Sequence, residues 1–210
     1  MSKTLAIIGC GHLGMQIAHI SISDGHYTNV VFFDDFTTHK DVNGYSVLGT
    51  TADIEQCYKH NKFDDLIIGI GYKHPEAKKA FYERFNKTVQ FATIIHSTCW
   101  ADPTAVIKEG CVLYPNCCID AEAVIEANTI VNLSCTIAHN SVIGKHGFIA
   151  PGVTISGFVT IGELCMIGAG TTVIDNITIT PGTITGAGTV VIKDIENKGL
   201  YVGNPARFIR

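Results

Sequence analysis

The sequence predicts two architectures in succession: a small parallel α/β domain over residues 1–96, then an all-β parallel helix of short strands with a C-terminal tail over 97–210. Three observations predict them. From Ile107 to Ile179 every sixth residue is Ile, Leu or Val, without one insertion. Before that run, strand-like and helix-like segments alternate. Between the first strand and the first helix stands a glycine-rich turn, Gly9-Cys10-Gly11-His12-Leu13-Gly14.

The six-residue series is Ile107, Leu113, Ile119, Ile125, Val131, Ile137, Ile143, Ile149, Ile155, Ile161, Ile167, Val173 and Ile179. A period of six matches neither the α-helix nor the two-residue alternation of an ordinary strand. It matches a coil in which one side chain per hexad points inward and stacks on its neighbours, three hexads to a triangular turn. Four residues after each aliphatic position a small residue is usual, as at Cys111, Cys117, Ala123, Thr129, Cys135, Ser141, Gly147, Cys165 and Thr171. The rhythm weakens at Thr185, and Lys193 to Lys198 ends the coil. A prism of this kind needs its open end covered. Trp100, the only tryptophan, is expected to cap the first coil.

In the first domain residues 4–9 read as a buried strand and Met15 to Ile20 as a helix. A glycine turn between the two lets backbone N–H groups approach a phosphate. A second strand, Val30 to Phe33, ends in Asp34-Asp35, about 20 residues past the glycines, where a dinucleotide fold places its ribose-binding acid. A helix near 52–61, a strand over 66–71, a helix from Pro75 and a strand at Phe91–Ile95 complete the alternation. The sheet lacks the second mononucleotide unit that NAD normally spans. A nucleotide-type ligand is therefore expected before NAD.

Composition excludes several classes. The 210 residues are 46% hydrophobic and 16% charged, with net charge −4 and no basic run, so nucleic acid is not an expected partner. No apolar stretch reaches the ~20 residues that cross a bilayer, and Gly9 interrupts the opening too early for a secretory signal. The expectation is a cytoplasmic protein without membrane insertion. None of the eight cysteines forms a C-x-x-C pair. Cys111, Cys117, Cys135 and Cys165 fall at the small corner of the hexad, where cysteine acts as a compact hydrophobe. Reduced structural thiols are expected.

Few titratable groups interrupt the coil. His139 stands two residues after inward Ile137 and should face outward, where a neutral imidazole can take a proton from a nucleophile; its position alone leaves an ordinary surface histidine equally open. His146 occupies a different place in its hexad, so the two rings should not meet at one ion, and no metal is expected within one chain.

The glycine turn, Phe33-Asp34-Asp35, Ile68-Gly69-Ile70-Gly71, Ile95-His96, the hexads, Ala138-His139 with Val142-Ile143-Gly144, and the closing Val202-Gly203-Asn204-Pro205-Ala206-Arg207 together resemble the bacterial sugar acyltransferase family. That family includes sialic acid O-acetyltransferase-like proteins and N-acetyltransferases of nucleotide-linked 4-amino-4,6-dideoxy sugars. The resemblance spans nearly the whole chain. It implies a Rossmann-like nucleotide-sugar-binding domain followed by a left-handed β-helix, a homotrimer, and acetyl-CoA as cosubstrate in the groove between coils. It implies His139 as the base that deprotonates the sugar amine, with Gly157 as a candidate oxyanion donor. Gly11, His12, Asp34, Asp35 and Gly71 would hold the nucleotide sugar; Gly157, Ala169 and Ala187 would contact acetyl-CoA.

Four departures from the family pattern stand out. Asn140 replaces the usual acid after the histidine, so Asn140 can orient the ring but brings no charge. Phe148 stands where a second histidine is common. His12 lies one place early, and Tyr72-Lys73-His74 replaces an Asn-rich turn. The implied activity is acetyl-CoA-dependent N-acetylation of a nucleotide-activated amino sugar in surface glycan biosynthesis. An O-acyltransferase of the same fold, a non-catalytic nucleotide-sugar-binding trimer and, more distantly, an NAD-dependent oxidoreductase remain as alternatives.

Overall fold

In the computed structural model, which describes residues 3–210, the first unit is a sheet of five strands flanked by helices. Its elements are Thr4–Ile8 (β1), His12–Ser23 (α1), Asn29–Phe33 (β2), Asp41–Val42 (β3), Tyr45–Gly49 (β4), Ile54–Lys59 (α2), Asp65–Ile68 (β5) and Pro75–Phe85 (α3). The strand order is β3-β4-β2-β1-β5, with β4, β2, β1 and β5 parallel and β3 antiparallel to β4. Leu5 to Ile8, Val30 to Phe33 and Leu66 to Ile68 are buried, as continuous apolar runs in a parallel sheet require. The β3–β4 hairpin escapes sequence reading because Tyr45-Ser46-Val47-Leu48-Gly49 is only partly buried and shows no clean alternation.

Two local expectations are corrected. The helix near 52–61 is split: a 3₁₀ turn over Thr51–Asp53 precedes α2, closed by a capping box between Thr50 and Asp53. The strand at Phe91–Ile95 does not form as one element. Phe91 makes a single bridge to Leu66, whereas Ile94–Ile95 is already the first strand of the β-helix.

The chain divides into compact units between Ile94 and Ile95. Up to Val190–Val191 the second unit is built from two-residue strands on three sheets, paired in parallel coil to coil, as Ile119 with Ile137 and Ile137 with Ile155. Leu113 to Ile179 of the six-residue series are at most 1% exposed. The series extends backwards through Ala101 to Ile95, both packed against the same core. Trp100 therefore does not cap the prism. Ala101 takes the inward place, and Trp100 points outward, 53% exposed, because successive strand residues face opposite sides.

Every sixth residue from Gly110 to Gly188 adopts a left-handed conformation, with φ between 56° and 76°. Glycine and asparagine hold most of these corners, as sterics favour. The small residues beside the corners also carry a hydrogen-bond ladder. Cys111, Cys117, Cys135 and Cys165 donate from Sγ to carbonyls of Glu126, Asn132, Ala150 and Thr180 at 3.0–3.3 Å. Ser141 does the same to Ser156 at 2.8 Å. All eight thiols are free.

The coil does not weaken at Thr185. Its side chain is turned inward, accepting from the Gly168 N–H at 2.9 Å and sharing a bond with the Thr171 hydroxyl at 3.0 Å. The strand Leu200–Val202 then pairs with Ile184–Thr185, and Arg207–Phe208 folds back against it to close the unit.

Candidate functional site

In the first unit Gly11, His12, Asp34, Asp35 and Gly71 line one cleft of about 840 Å³. Its floor is apolar, from Ile8, Leu13, Phe33 and Phe81, and its rim carries Phe36, Tyr72, Lys73 and His74. The glycines divide the labour. Gly9 turns the chain at φ 93°. A Cβ on Gly14 would stand 1.9 Å from the Gly9 carbonyl oxygen, so only glycine lets α1 leave β1 so closely. Gly11, by contrast, has no atom near where its Cβ would lie. It is the N-cap of α1 and leaves the first helical N–H groups open to the cleft.

The two acids hold the frame of this cleft. Asp34 accepts from the Cys10 N–H at 2.9 Å and its thiol at 3.2 Å through one oxygen. Through the other it accepts from the Phe36 and Thr37 N–H groups at 2.8 and 3.0 Å. Burial pushes this carboxyl up, but the bonds from Cys10, Phe36 and Thr37 outweigh it and hold it below the usual carboxylate range. Burial, then the Asp34 carboxylate, pushes the Cys10 thiol up. Asp35 accepts from the Thr51 N–H at 2.7 Å and hydroxyl at 2.9 Å, fixing the start of the 3₁₀ turn.

In the second unit His139 is exposed on one edge of the prism, just past the strand Thr136–Ile137. Its Nδ1 lies 3.1 Å from Asn140 Oδ1, and Asn140 Nδ2 donates to Glu122 Oε2 at 2.5 Å. One coil further on, Gly157 packs against the ring: a Cβ there would lie 2.7 Å from Cε1 and 2.8 Å from Nε2. Phe158 meets the ring edge-on, centroids 5.1 Å apart at 87°. The imidazole is thus held on one nitrogen and against two neighbours, leaving Nε2 for chemistry. Glu122 and Phe158 escape sequence inspection. The 18-residue coil length is the signal that finds them, since it places Glu122 one coil before Asn140 and Phe158 one coil after it, with the Phe158 N–H bonding the His139 carbonyl.

Ala169 and Ala187 stack on each other, the Gly188 N–H bonding the Ala169 carbonyl at 2.8 Å. They follow the strands Met166–Ile167 and Ile184–Thr185, which belong to a different sheet from that preceding His139 and Gly157. Within one chain the structure therefore brings His139, Asn140 and Gly157 together and sets Ala169 and Ala187 on another edge. His146 is buried, its Nδ1 bonded to Asn128 Nδ2 at 2.9 Å. Among the described residues no cluster of three or more His, Cys, Asp or Glu side chains is arranged to hold a metal ion, and no helix is long and apolar enough to cross a membrane.

The family model of the PglD N-terminal domain matches residues 4–85. No curated protein matches the sequence. The whole chain is similar to the acetyltransferase domain of PglB from Neisseria gonorrhoeae FA1090, at 30% identity and a TM-score of 0.91, covering 99% of this chain and 100% of that one. The same domain in complex with acetyl coenzyme A gives 29% identity and 0.90, with 100% of both chains covered. A mutant of perosamine N-acetyltransferase from Caulobacter crescentus, in complex with CoA and GDP-perosamine, is similar at 23% identity and 0.89, covering 99% of this chain and 97% of that one. WeeI from Acinetobacter baumannii AYE is similar at 23% and 0.84, covering 99% and 100%. The last two likenesses are of fold. The shared fold is a small Rossmann-like parallel domain followed by a left-handed β-helix of hexapeptide repeats.

Proposed function

The chain belongs to the bacterial sugar acyltransferases of the hexapeptide superfamily, and from that premise we propose that it is an acetyl-CoA-dependent N-acetyltransferase of a nucleotide-activated amino sugar. One observation carries the reading: an exposed imidazole, His139, is tied through Nδ1 to Asn140 and pressed by a glycine that leaves room for nothing larger. The PglB domain, which is 29% identical over the whole length, binds acetyl coenzyme A on this fold.

In this reading the sugar amine nitrogen attacks the thioester carbonyl carbon as His139 Nε2 takes its proton. The amine must shed a proton to form a neutral amide, so a base at that point is required. The carbonyl oxygen becomes an oxyanion, and the Gly157 N–H, one coil beyond His139, is the candidate donor. The tetrahedral centre then collapses, the C–S bond breaks, and His139 returns the proton to the CoA sulfur.

The cleft of the α/β unit suits the nucleotide. The open N–H groups of α1 with Lys73 and His74 answer phosphate charge, and Phe36 and Tyr72 offer aromatic faces to a base. Asp34 and Asp35 contribute by fixing the turns that shape the cleft; Asp34 accepts four bonds in doing so, whereas each Asp35 oxygen accepts one and keeps a further lone pair for a sugar hydroxyl. A single acetyl-CoA touching His139 and also Ala169 and Ala187 needs two prism edges, which a second copy of the chain supplies; a homotrimer meets this need three times. Eight free thiols fit a reducing cytoplasm.

The test is thiol release from acetyl-CoA with a panel of UDP-, dTDP- and GDP-linked 4-amino sugars, run with wild type and His139→Ala and with product mass recorded. Gain of one acetyl group, lost in His139→Ala, is the expected result. Turnover that survives in His139→Ala removes the base assignment, and acetylation of a hydroxyl alone replaces N-transfer by O-transfer.

A further inference from the structure

Asparagine is an odd companion for a base. It carries no charge, and its amide can face the imidazole in two ways. With Oδ1 towards Nδ1 it accepts a proton held there. With Nδ2 towards Nδ1 it donates, and the ring proton must then move to Nε2. Only the first arrangement leaves a lone pair on Nε2 to take a proton from an amine. His139 and Asn140 cannot choose between the two by themselves.

Glu122 makes the choice. Its Oε2 accepts from Asn140 Nδ2 at 2.5 Å, and an ionised carboxylate can only accept. The amide nitrogen is thereby drawn towards Glu122, and Oδ1 is turned towards His139 Nδ1, 3.1 Å away. Resting on the reading of His139 as the base, we propose that Glu122 is a positioning residue: it fixes the Asn140 amide so that His139 keeps its proton on Nδ1 and presents a bare Nε2.

The backbone supports this assignment independently. Glu122 and Asn140 occupy the same left-handed corner of successive coils, with φ 58° and 57°. The Asn140 N–H bonds the Ala121 carbonyl at 2.9 Å, which holds the corners in register. Asparagine and glycine take most such corners because they tolerate the conformation best. A carboxylate one coil away thus sets the imidazole tautomer by orienting the amide between them.

The test pairs a spectroscopic readout with kinetics. Long-range 1H–15N correlation on 15N-histidine-labelled protein, with His139 assigned by its loss in His139→Ala, is expected to show protonated Nδ1 in wild type and a tautomer mixture in Glu122→Ala. This readout needs no substrate, so it stands even if the acceptor is never found. With an acceptor, Glu122→Ala is expected to lower kcat on the order of tenfold, the scale of a lost outer partner, with both KM values little changed. Glu122→Gln, which still offers an acceptor oxygen, should recover most of that loss. In Asn140→Asp the carboxylate meets Nδ1 directly, so adding Glu122→Ala should cost nothing further. An unchanged tautomer in Glu122→Ala overturns the proposal. So does an equal tenfold loss in the Asn140→Asp background, which would mark Glu122 as merely structural, or a Glu122→Gln enzyme no better than Glu122→Ala.

Discussion

Replacing Gly157 with alanine should separate catalysis from stability. The backbone of Gly157 lies outside the left-handed region, so alanine meets no conformational strain of its own. Its Cβ would stand 2.7, 2.8 and 3.3 Å from Cε1, Nε2 and Nδ1 of His139. Ordinary contact begins near 3.4 Å, so the ring must retreat by about 0.7 Å. His139 is exposed and can swing outward, which keeps the stability cost within about 1 kcal/mol. The movement stretches the Nδ1–Asn140 bond from 3.1 Å and opens the edge contact with Phe158. A displacement of this size at a reacting nitrogen costs on the order of 100-fold in kcat. Steady-state acetyl transfer read by thiol release, with acetyl-CoA affinity and thermal unfolding measured beside it, checks the expectation. A Gly157→Ala enzyme with kcat within about twofold of wild type would refute the geometric reasoning.

Gly14→Ala places a Cβ 1.9 Å from a backbone oxygen that has nowhere to go; a loss of about 1–3 kcal/mol on denaturant unfolding is expected, with weaker nucleotide binding by titration. Ile155→Ala, fully buried and stacked between Ile137 and Val173, should cost about 2–5 kcal/mol in the same assay. The carboxyl of Asp34 is lowered in the folded protein. Its stabilisation is present above the unfolded value of about 3.9 and is lost as pH falls through the lower folded value. Acid titration of the folded state should show this limb, and Asp34→Asn should flatten it.

Much of this protein was determined by the sequence alone. A six-residue repeat of Ile, Leu and Val announces a stacked triangular coil, because an uninterrupted inward position makes each hexad stack on the next; its left hand comes from the family resemblance. The strand–glycine–helix–acid pattern marked the cleft through local sterics: Gly9 turns the chain at φ 93°, and Gly14 sits where only a hydrogen in place of Cβ lets α1 leave β1 so closely. His139 could be placed outward by counting from Ile137. What lay beyond reach were contacts across coils. Residues 18 apart touch, so Glu122 acquires its bond to Asn140, and Gly157 its contact with the imidazole, only when the chain is wound. Ala101 is too small to announce an inward position, which hides the outward place of Trp100, and the hydroxyl of Thr185 finds partners in Gly168 and Thr171 that no local pattern displays. Local sterics write the repeat into the sequence; the partners of polar groups are decided by distance in space, which only the tertiary structure sets.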